Sequence, residues 1–155
     1  MVNKFLKNGL QEDFEISFGS HIQYLDLIQE LALSITKLIG LEEDVSYWIG
    51  LSVRESVTNA IRHGNQQDET KKVGLRFKIS PDRLMILVQD EGKGFDISSL
   101  PDPLDQDNLL KPSGRGIFYV RTFMDDVRFR NRPDGGFEVR MEKRLDNLKG
   151  EKDED

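Results

Sequence analysis

The chain has 155 residues, a formal net charge of −6, a charged fraction of 32% and no cysteine. This length suffices for one domain with a substantial apolar core, and the acidic balance gives no general electrostatic reason to bind nucleic acid directly. The lack of cysteine excludes disulfides, thiolate metal sites and a cysteine nucleophile, and without a membrane-length apolar run or a signal peptide we expect a cytoplasmic protein with no membrane partner.

The first part of the chain predicts one strand and two helices. Apolar and polar residues alternate over residues 14–18, which indicates a half-buried strand. Ser20 is placed to cap the helix that follows, and the helical spacing of apolar residues continues to a stop at Gly40. A second helix is predicted to begin among the acidic residues 42–44 and to end at residues 64–65.

The second part predicts mainly strands. Residues 73–79 alternate apolar and polar side chains, and a tight turn leads from them into the apolar run 84–88. A short helix is expected over residues 117–124, and residues 126–130 and 137–143 read as a final hairpin.

This order of elements predicts an α+β fold. A two-layer sandwich, with helices on one face of a mixed, mostly antiparallel sheet, accommodates one strand, two helices and then hairpin-connected strands. We expect a single domain over residues 1–148, followed by a charged tail over residues 149–155 that is too polar to pack.

Two polar residues share one side of the second predicted helix. Glu55 and Asn59 are four residues apart and fall at the flank of the apolar stripe. Such a pair either faces a cleft beside the core or consists of ordinary solvated side chains.

A glycine turn follows the apolar run 84–88. Asp90 precedes Gly92 and Gly94, and glycines at this spacing permit positive φ and the close approach of a ligand to the backbone. The chain has no Walker A pattern, and the turn lacks the third glycine of a dinucleotide fingerprint. A P-loop enzyme is therefore not expected.

Three motifs resemble those of the histidine-kinase-like (GHKL) ATPase superfamily, in its order, over residues 10 to 145. The similarities are to its N box, its first glycine box and its second glycine box, which here read Glu55-x-x-x-Asn59-Ala60-x-x-His63-Gly64-Asn65, Asp90-x-Gly92-x-Gly94-Phe95 and Gly114-Arg115-Gly116-Ile117. The short length and the segment 101–127 resemble the stand-alone anti-sigma-factor serine kinases of that superfamily. The fold implied is the Bergerat-type ATP-binding fold.

The resemblance implies a site for ATP and Mg²⁺. Asn59 would supply its amide oxygen to Mg²⁺, and Glu55 would accept the proton of an attacking serine hydroxyl as the catalytic residue. Asp90 would accept a hydrogen bond from the adenine amino group. Gly92 and Gly94 would let the nucleotide lie close to the chain.

The resemblance also assigns the phosphate end of the site. Gly114 and Gly116 would present backbone N–H groups to the phosphates, with Arg115 between them in reach of a phosphate or a partner. Residues 97–113 would form a lid over ATP. Phe137 is a departure, since the family has a threonine near adenine at this place, and a polar contact to the base is expected to be missing.

A regulatory role is implied in the same way. The relatives are bacterial serine/threonine-protein kinases of partner-switching systems, which phosphorylate a serine on an anti-anti-sigma (STAS-type) partner and sequester a sigma factor or an analogous regulator. A homodimer is expected by resemblance. Two alternatives stay open: a nucleotide-dependent binding module (anti-sigma factor) without kinase activity, and a histidine-kinase catalytic domain acting in trans.

Other conspicuous residues have simpler interpretations. His63 is expected at a helix end or a pocket wall, not as a metal ligand, and Trp48 in the core or in an interface. A solvated face is predicted for a group of basic side chains near the final hairpin: Arg121, Arg128, Arg130 and Arg132.

Overall fold

The computed structural model describes residues 9, 11–96, 98 and 120–145. One sheet runs through these residues in the order β1-β2-β3-β5-β4, and every neighbouring pair in it is antiparallel. Its strands are β1 (Glu12–Gly19), β2 (Lys72–Ile79), β3 (Arg83–Gln89), β4 (Asp126–Asn131) and β5 (Phe137–Arg144).

Two helices connect β1 to β2 and cover one face of the sheet. Helix α1 (Leu25–Leu38) follows a 3-10 turn (Ile22–Tyr24), and helix α2 (Glu43–Asn59) continues into a π-helical turn (Ala60–Gly64). The predicted α+β sandwich is thus confirmed.

The sheet is more regular than the mixed sheet that the sequence predicts. The connection from β3 to β4 crosses over, so these two strands run in the same direction, but they are not neighbours. Strand β5 lies between them and pairs antiparallel with both. A parallel pair is therefore avoided in the described part of the chain.

The core lies between the helices and one face of the sheet. Strand residues that face the helices alternate with polar residues and are almost fully buried, because successive side chains point to opposite faces. Phe77, Ile86 and Met141 form one row across β2, β3 and β5, each at most 1% exposed. Ile28 and Val53 are equally buried on the helix side.

The start of helix α1 differs from the prediction. Ser20 is not its N-cap: the 3-10 turn intervenes, and His21 makes no side-chain cap bond. The Ser20 hydroxyl instead donates to the carbonyl of Lys71 at 2.7 Å, because Ser20 is buried where the chain enters β2. The predicted stop at Gly40 is confirmed, with φ at +84°.

The C-terminal end of the predicted short helix packs against α2. Residues 120–123 are helical, and the ring of Phe123 stacks on Trp48 with centroids 4.0 Å apart and planes 7° apart. Lys143 of β5 donates to the carbonyl of Phe123 at 3.0 Å and lies 3.6 Å from the carboxylate of Asp125. Trp48, which the sequence analysis places in the core or in an interface, is half-buried and packs on Phe123.

Several predictions fall on residues outside the described part. They concern the lid over residues 97–113 except Ser98, the second glycine motif 114–116, the beginning of the short helix and the charged tail over residues 149–155. Within the described residues, no helix is long and apolar enough to cross a membrane.

Replacing Ile86 with alanine tests the central row of the core. We expect Ile86→Ala to lower the free energy of unfolding by about 2–5 kcal/mol, since it leaves a cavity between Phe77 and Met141. Met85→Ala, on the opposite face of the same strand, is the control and should cost less than about 1 kcal/mol. Urea denaturation measures both, and equal costs would contradict the proposed orientation of β3.

Candidate functional site

The end of helix α2 carries the predicted polar pair. Glu55 and Asn59 are both half-buried, which agrees with their expected position at the flank of the apolar stripe. Asn59 is the last residue of α2, and the chain then widens into the π-helical turn, which is closed by a hydrogen bond of 2.8 Å from the N–H of Asn65 to the carbonyl of Ala60. Such π turns are uncommon and often occur at functional sites.

The π-helical turn lies directly against the glycine turn that follows β3. A Cβ atom on Gly64 would lie 2.0 Å from Oδ2 of Asp90, and one on Gly92 would lie 2.0 Å from the carbonyl oxygen of Gly64. Neither position has room for a side chain. The two glycines therefore allow the end of the first motif and the start of the second to be in contact.

Asp90 is the buried acid at this contact, with 2% of its surface exposed. Its Oδ1 accepts hydrogen bonds from the N–H groups of Gly92, at 2.9 Å, and Phe137, at 3.0 Å. Burial raises the pKa of Asp90 above its ordinary value of 3.8, against the opposing effects of these bonds and of the charges on Arg132 and Lys71. No described residue donates a hydrogen bond to Oδ2, which leaves an acceptor for a ligand.

Asn65 connects three segments around the site and is only 1% exposed. Its Oδ1 accepts the N–H of Glu91 at 2.8 Å, and its Nδ2 donates to the Ser20 hydroxyl at 2.8 Å and to the carbonyl of Lys72 at 3.0 Å. The sequence places Asn65 only at the end of a helix. Its place in the N-box motif is the signal that could have indicated this role.

The β4–β5 hairpin forms a further wall of the glycine turn. Asn131 accepts the N–H of Phe95 at 3.0 Å and donates to its carbonyl at 2.8 Å, so it binds that residue at two points. Gly136, with φ at +95°, would place a Cβ atom 2.0 Å from the carbonyl oxygen of Asp90. The sequence analysis places Phe137 of this hairpin near adenine, but it does not anticipate the contacts that Asn131 and Gly136 make with the glycine turn.

Two hairpin residues, Arg132 and Phe137, contact Asp90, and the first differs from its sequence-based interpretation. The solvated face predicted for Arg132 is wrong, since its Nη1 donates to the backbone carbonyl of Asp90 at 2.9 Å and its side chain is half-buried. The side chain of Phe137 is buried against Phe95, edge-on at 4.8 Å, and is stacked with Phe129 at 6.0 Å. Phe137 therefore contacts Asp90 through its backbone N–H and carbonyl.

The described residues fit a nucleotide base at this end of the site. A buried carboxylate oxygen without a donor suits an exocyclic amine, which is a donor and not an acceptor. For a metal, the described residues contain no group of three or more His, Asp or Glu side chains that could hold an ion. The amide oxygen of Asn59 suits a hard cation such as Mg²⁺ that completes its coordination with phosphate and water.

The structure thus brings together part of the predicted site. Asp90, Gly92 and Gly94 lie in one turn against the end of the motif that contains Glu55 and Asn59. Gly114, Arg115 and Gly116, which are predicted to bind phosphate, lie outside the described residues.

Comparison with protein families and with other sequences agrees with the resemblance indicated by the three motifs. The histidine kinase-like ATPase domain family matches residues 19–143. The chain is 32% identical over 129 residues to the serine-protein kinase RsbW of Bacillus licheniformis, with 79% of each chain covered. It is 28% identical over 137 residues to the serine-protein kinase RsbW of Bacillus subtilis, with 84% of each chain covered.

Solved structures of two mycobacterial proteins have a similar fold. One contains the RsbU and RsbW domains of Rv1364c from Mycobacterium tuberculosis; its TM-score is 0.62 at 15% identity, with 86% of this chain and 32% of that chain covered. The other is the mycobacterial sensor histidine kinase MprB, with a TM-score of 0.53 at 15% identity, covering 87% of this chain and 97% of that chain. At this identity the likeness concerns the fold alone.

Replacing Asp90 with asparagine tests how much stability the buried carboxylate costs. The pKa of Asp90 is higher in the folded protein than in the unfolded chain. The carboxyl therefore stabilises the folded state below pH 3.8, and this contribution is lost as the pH rises through the folded-state pKa. At pH 7 the amide keeps an acceptor for the two N–H groups without an ion to desolvate. We therefore expect Asp90→Asn to be at least as stable as the wild type at pH 7 in urea denaturation, and to lose this advantage toward pH 4.

Asp82→Asn is the control with the opposite sign. The hydroxyl of Ser80 lowers the pKa of Asp82, so this ionised carboxyl stabilises the folded state above pH 3.8 and its replacement should lower stability at pH 7. A marked destabilisation by Asp90→Asn at pH 7 would contradict the interpretation of Asp90 as a buried acid that costs stability.

Removing the amide of Asn65 should destabilise the fold. Asn65→Ala leaves the N–H of Glu91 and the carbonyl of Lys72 without their partners, so we expect a loss of about 1–3 kcal/mol in the free energy of unfolding. Arg62→Ala, at an exposed position of the same π-helical turn, is the matched control. A loss no larger than that of the control, measured by urea denaturation, would show that Asn65 does not join these segments.

Proposed function

Because the chain belongs to the histidine kinase-like ATPase domain family, we propose that it is an ATP-dependent serine-protein kinase of a bacterial partner-switching system. It phosphorylates a serine on an anti-anti-sigma (STAS-type) partner and sequesters a sigma factor or an analogous regulator. A cytoplasmic location and a homodimer are part of this proposal.

The contact at Asp90 carries the proposal. The buried carboxylate keeps one oxygen without a donor among the described residues, in a turn that is fixed from one side by Gly64 and Asn65 and from the other by the hairpin. This arrangement suits the recognition of adenine through its amino group. By the family resemblance, Gly92 and Gly94 are proposed to let the nucleotide lie close to the adjoining backbone.

Glu55 is proposed as the general base. The serine hydroxyl oxygen attacks the γ-phosphorus, the bond from that phosphorus to the β–γ bridging oxygen breaks, and ADP leaves. Glu55 accepts the hydroxyl proton in this step. Its half-buried position on α2, one turn before Asn59, supports this assignment because both side chains share one side of the helix.

Asn59 is proposed as the protein ligand of Mg²⁺. When bound, Mg²⁺ neutralises charge on the phosphates during transfer. The amide oxygen of Asn59 would hold the ion at the end of α2, and phosphate and water oxygens would complete its coordination. Gly114, Arg115 and Gly116 are proposed to hold the phosphates from the opposite side.

Two alternatives are distinguished by what becomes of ATP. A binding module that uses ATP only as a switching ligand is favoured by Phe137, whose side chain lies against Phe95 where the family has a threonine hydroxyl. A histidine-kinase catalytic domain acting in trans would produce acid-labile phosphohistidine in place of phosphoserine.

Phosphoryl transfer tests the proposed activity directly. With Mg-ATP and a small STAS-type acceptor domain, the protein should form phosphoserine on the acceptor. We expect Glu55→Gln to lower the transfer rate at least about 100-fold while ATP binding persists, since only proton acceptance is removed. Glu43→Gln, at the exposed start of α2, is the control and should leave the rate unchanged.

The other outcomes each contradict one part of the proposal. If ATP stabilises the protein but is never turned over, the chain is a binding module. At a hundredfold excess of ATP over Kd, the free energy of unfolding should rise by about 2.7 kcal/mol, which raises the melting temperature. Transfer that persists in EDTA would exclude the assignment of Asn59 to Mg²⁺. Equal rates for Glu55→Gln and the wild type would exclude Glu55 as the base.

A further inference from the structure

Arg132 of the β4–β5 hairpin makes a contact that the proposed chemistry does not use. Its Nη1 donates to the backbone carbonyl of Asp90 at 2.9 Å, and its side chain is half-buried in that position. The same hairpin binds the backbone of Phe95 through Asn131 and the carboxylate of Asp90 through the N–H of Phe137. The guanidinium of Arg132 is therefore fixed beside the buried Asp90, at the end of the site that is proposed to bind the nucleotide base.

We propose that Arg132 is a positioning residue for nucleotide recognition: held on the backbone carbonyl of Asp90, it supplies positive charge that favours the ionised, acceptor form of the Asp90 carboxylate. The inference rests on the proposed function, since it assumes that Asp90 accepts a hydrogen bond from an exocyclic amine of the base. Arg132 acts through Asp90 and needs no contact with the ligand.

The charges around Asp90 make Arg132 the main candidate for this role. Burial favours the protonated form of Asp90, and the pKa of the carboxyl is raised accordingly, while the charge of Arg132 from the hairpin and that of Lys71 from the segment before β2 oppose this rise. The π-helical turn faces the carboxylate with Gly64, which carries no charge. In the turn itself, Glu91 and Lys93 are exposed.

Protonation of Asp90 would exchange its free acceptor for a donor. A protonated carboxyl carries an O–H at the oxygen that the described residues leave open, and two donors would then face each other when an amine approaches. Loss of the positive charge on Arg132 should therefore weaken nucleotide binding at low pH, where Asp90 becomes protonated, more than at high pH.

Binding of ATP as a function of pH tests this role. For the wild type we expect ATP affinity to fall as the pH is lowered, and Arg132→Ala should move this fall to higher pH, with little change near pH 8. Arg132→Lys keeps the charge and should keep the wild-type profile. Arg128→Ala, an exposed arginine of β4 that pairs with Asp126, is the control and should not move it.

A second ligand separates charge from structure. Purine riboside triphosphate lacks the exocyclic amine, so Arg132→Ala should bind it as well as the wild type does at every pH. Equal weakening of both ligands by Arg132→Ala at all pH values, or an unchanged profile for ATP, would overturn the inference. Failure of the wild type to bind ATP at all would instead contradict the proposed function.

Discussion

The close approach of two backbone segments is the constraint on which the base end of this site depends. The carbonyl of Gly64 and the carboxylate of Asp90 occupy the space that side chains on Gly92 and Gly64 would need. The π-helical turn after α2 and the glycine turn after β3 therefore meet at Gly64 and Gly92 with no side chain between these two residues. Because the π-helical turn lies between Asn59 and this contact, the position of the last α2 residues is tied to that of the glycine turn.

A buried carboxylate beside this contact needs compensation from its surroundings. Taking an ionised group out of water costs free energy, and Asp90 recovers part of that cost from two backbone N–H groups and from neighbouring positive charge. The pKa of Asp90 nevertheless stays above that of an exposed aspartate. Buried acids with a raised pKa occur preferentially at functional sites, where they are retained for recognition or chemistry at the expense of stability.

The sequence predicted the elements and the motifs better than the contacts between them. Periodicity identified both helices and strands β1 and β2, because burial on one face leaves a repeating signal. An apolar run indicated β3, and the turn between β4 and β5 indicated the final hairpin. Asn65, Asn131 and Arg132 were missed as site residues, since their partners are backbone atoms that only the tertiary structure brings close. Ser20 was misassigned for a related reason: a local capping signal was outweighed by the distant carbonyl of Lys71.

The stacked rings of Trp48 and Phe123 have a practical consequence. Trp48 is the sole tryptophan of the chain, so the tryptophan fluorescence of the protein originates at this stack. Phe123 closes the helix that follows the predicted phosphate-binding glycines, whereas Trp48 stands on the helix that carries Glu55 and Asn59. The protein thus contains a built-in optical probe at the junction of these two helices, and its emission can follow their relative movement without an attached dye.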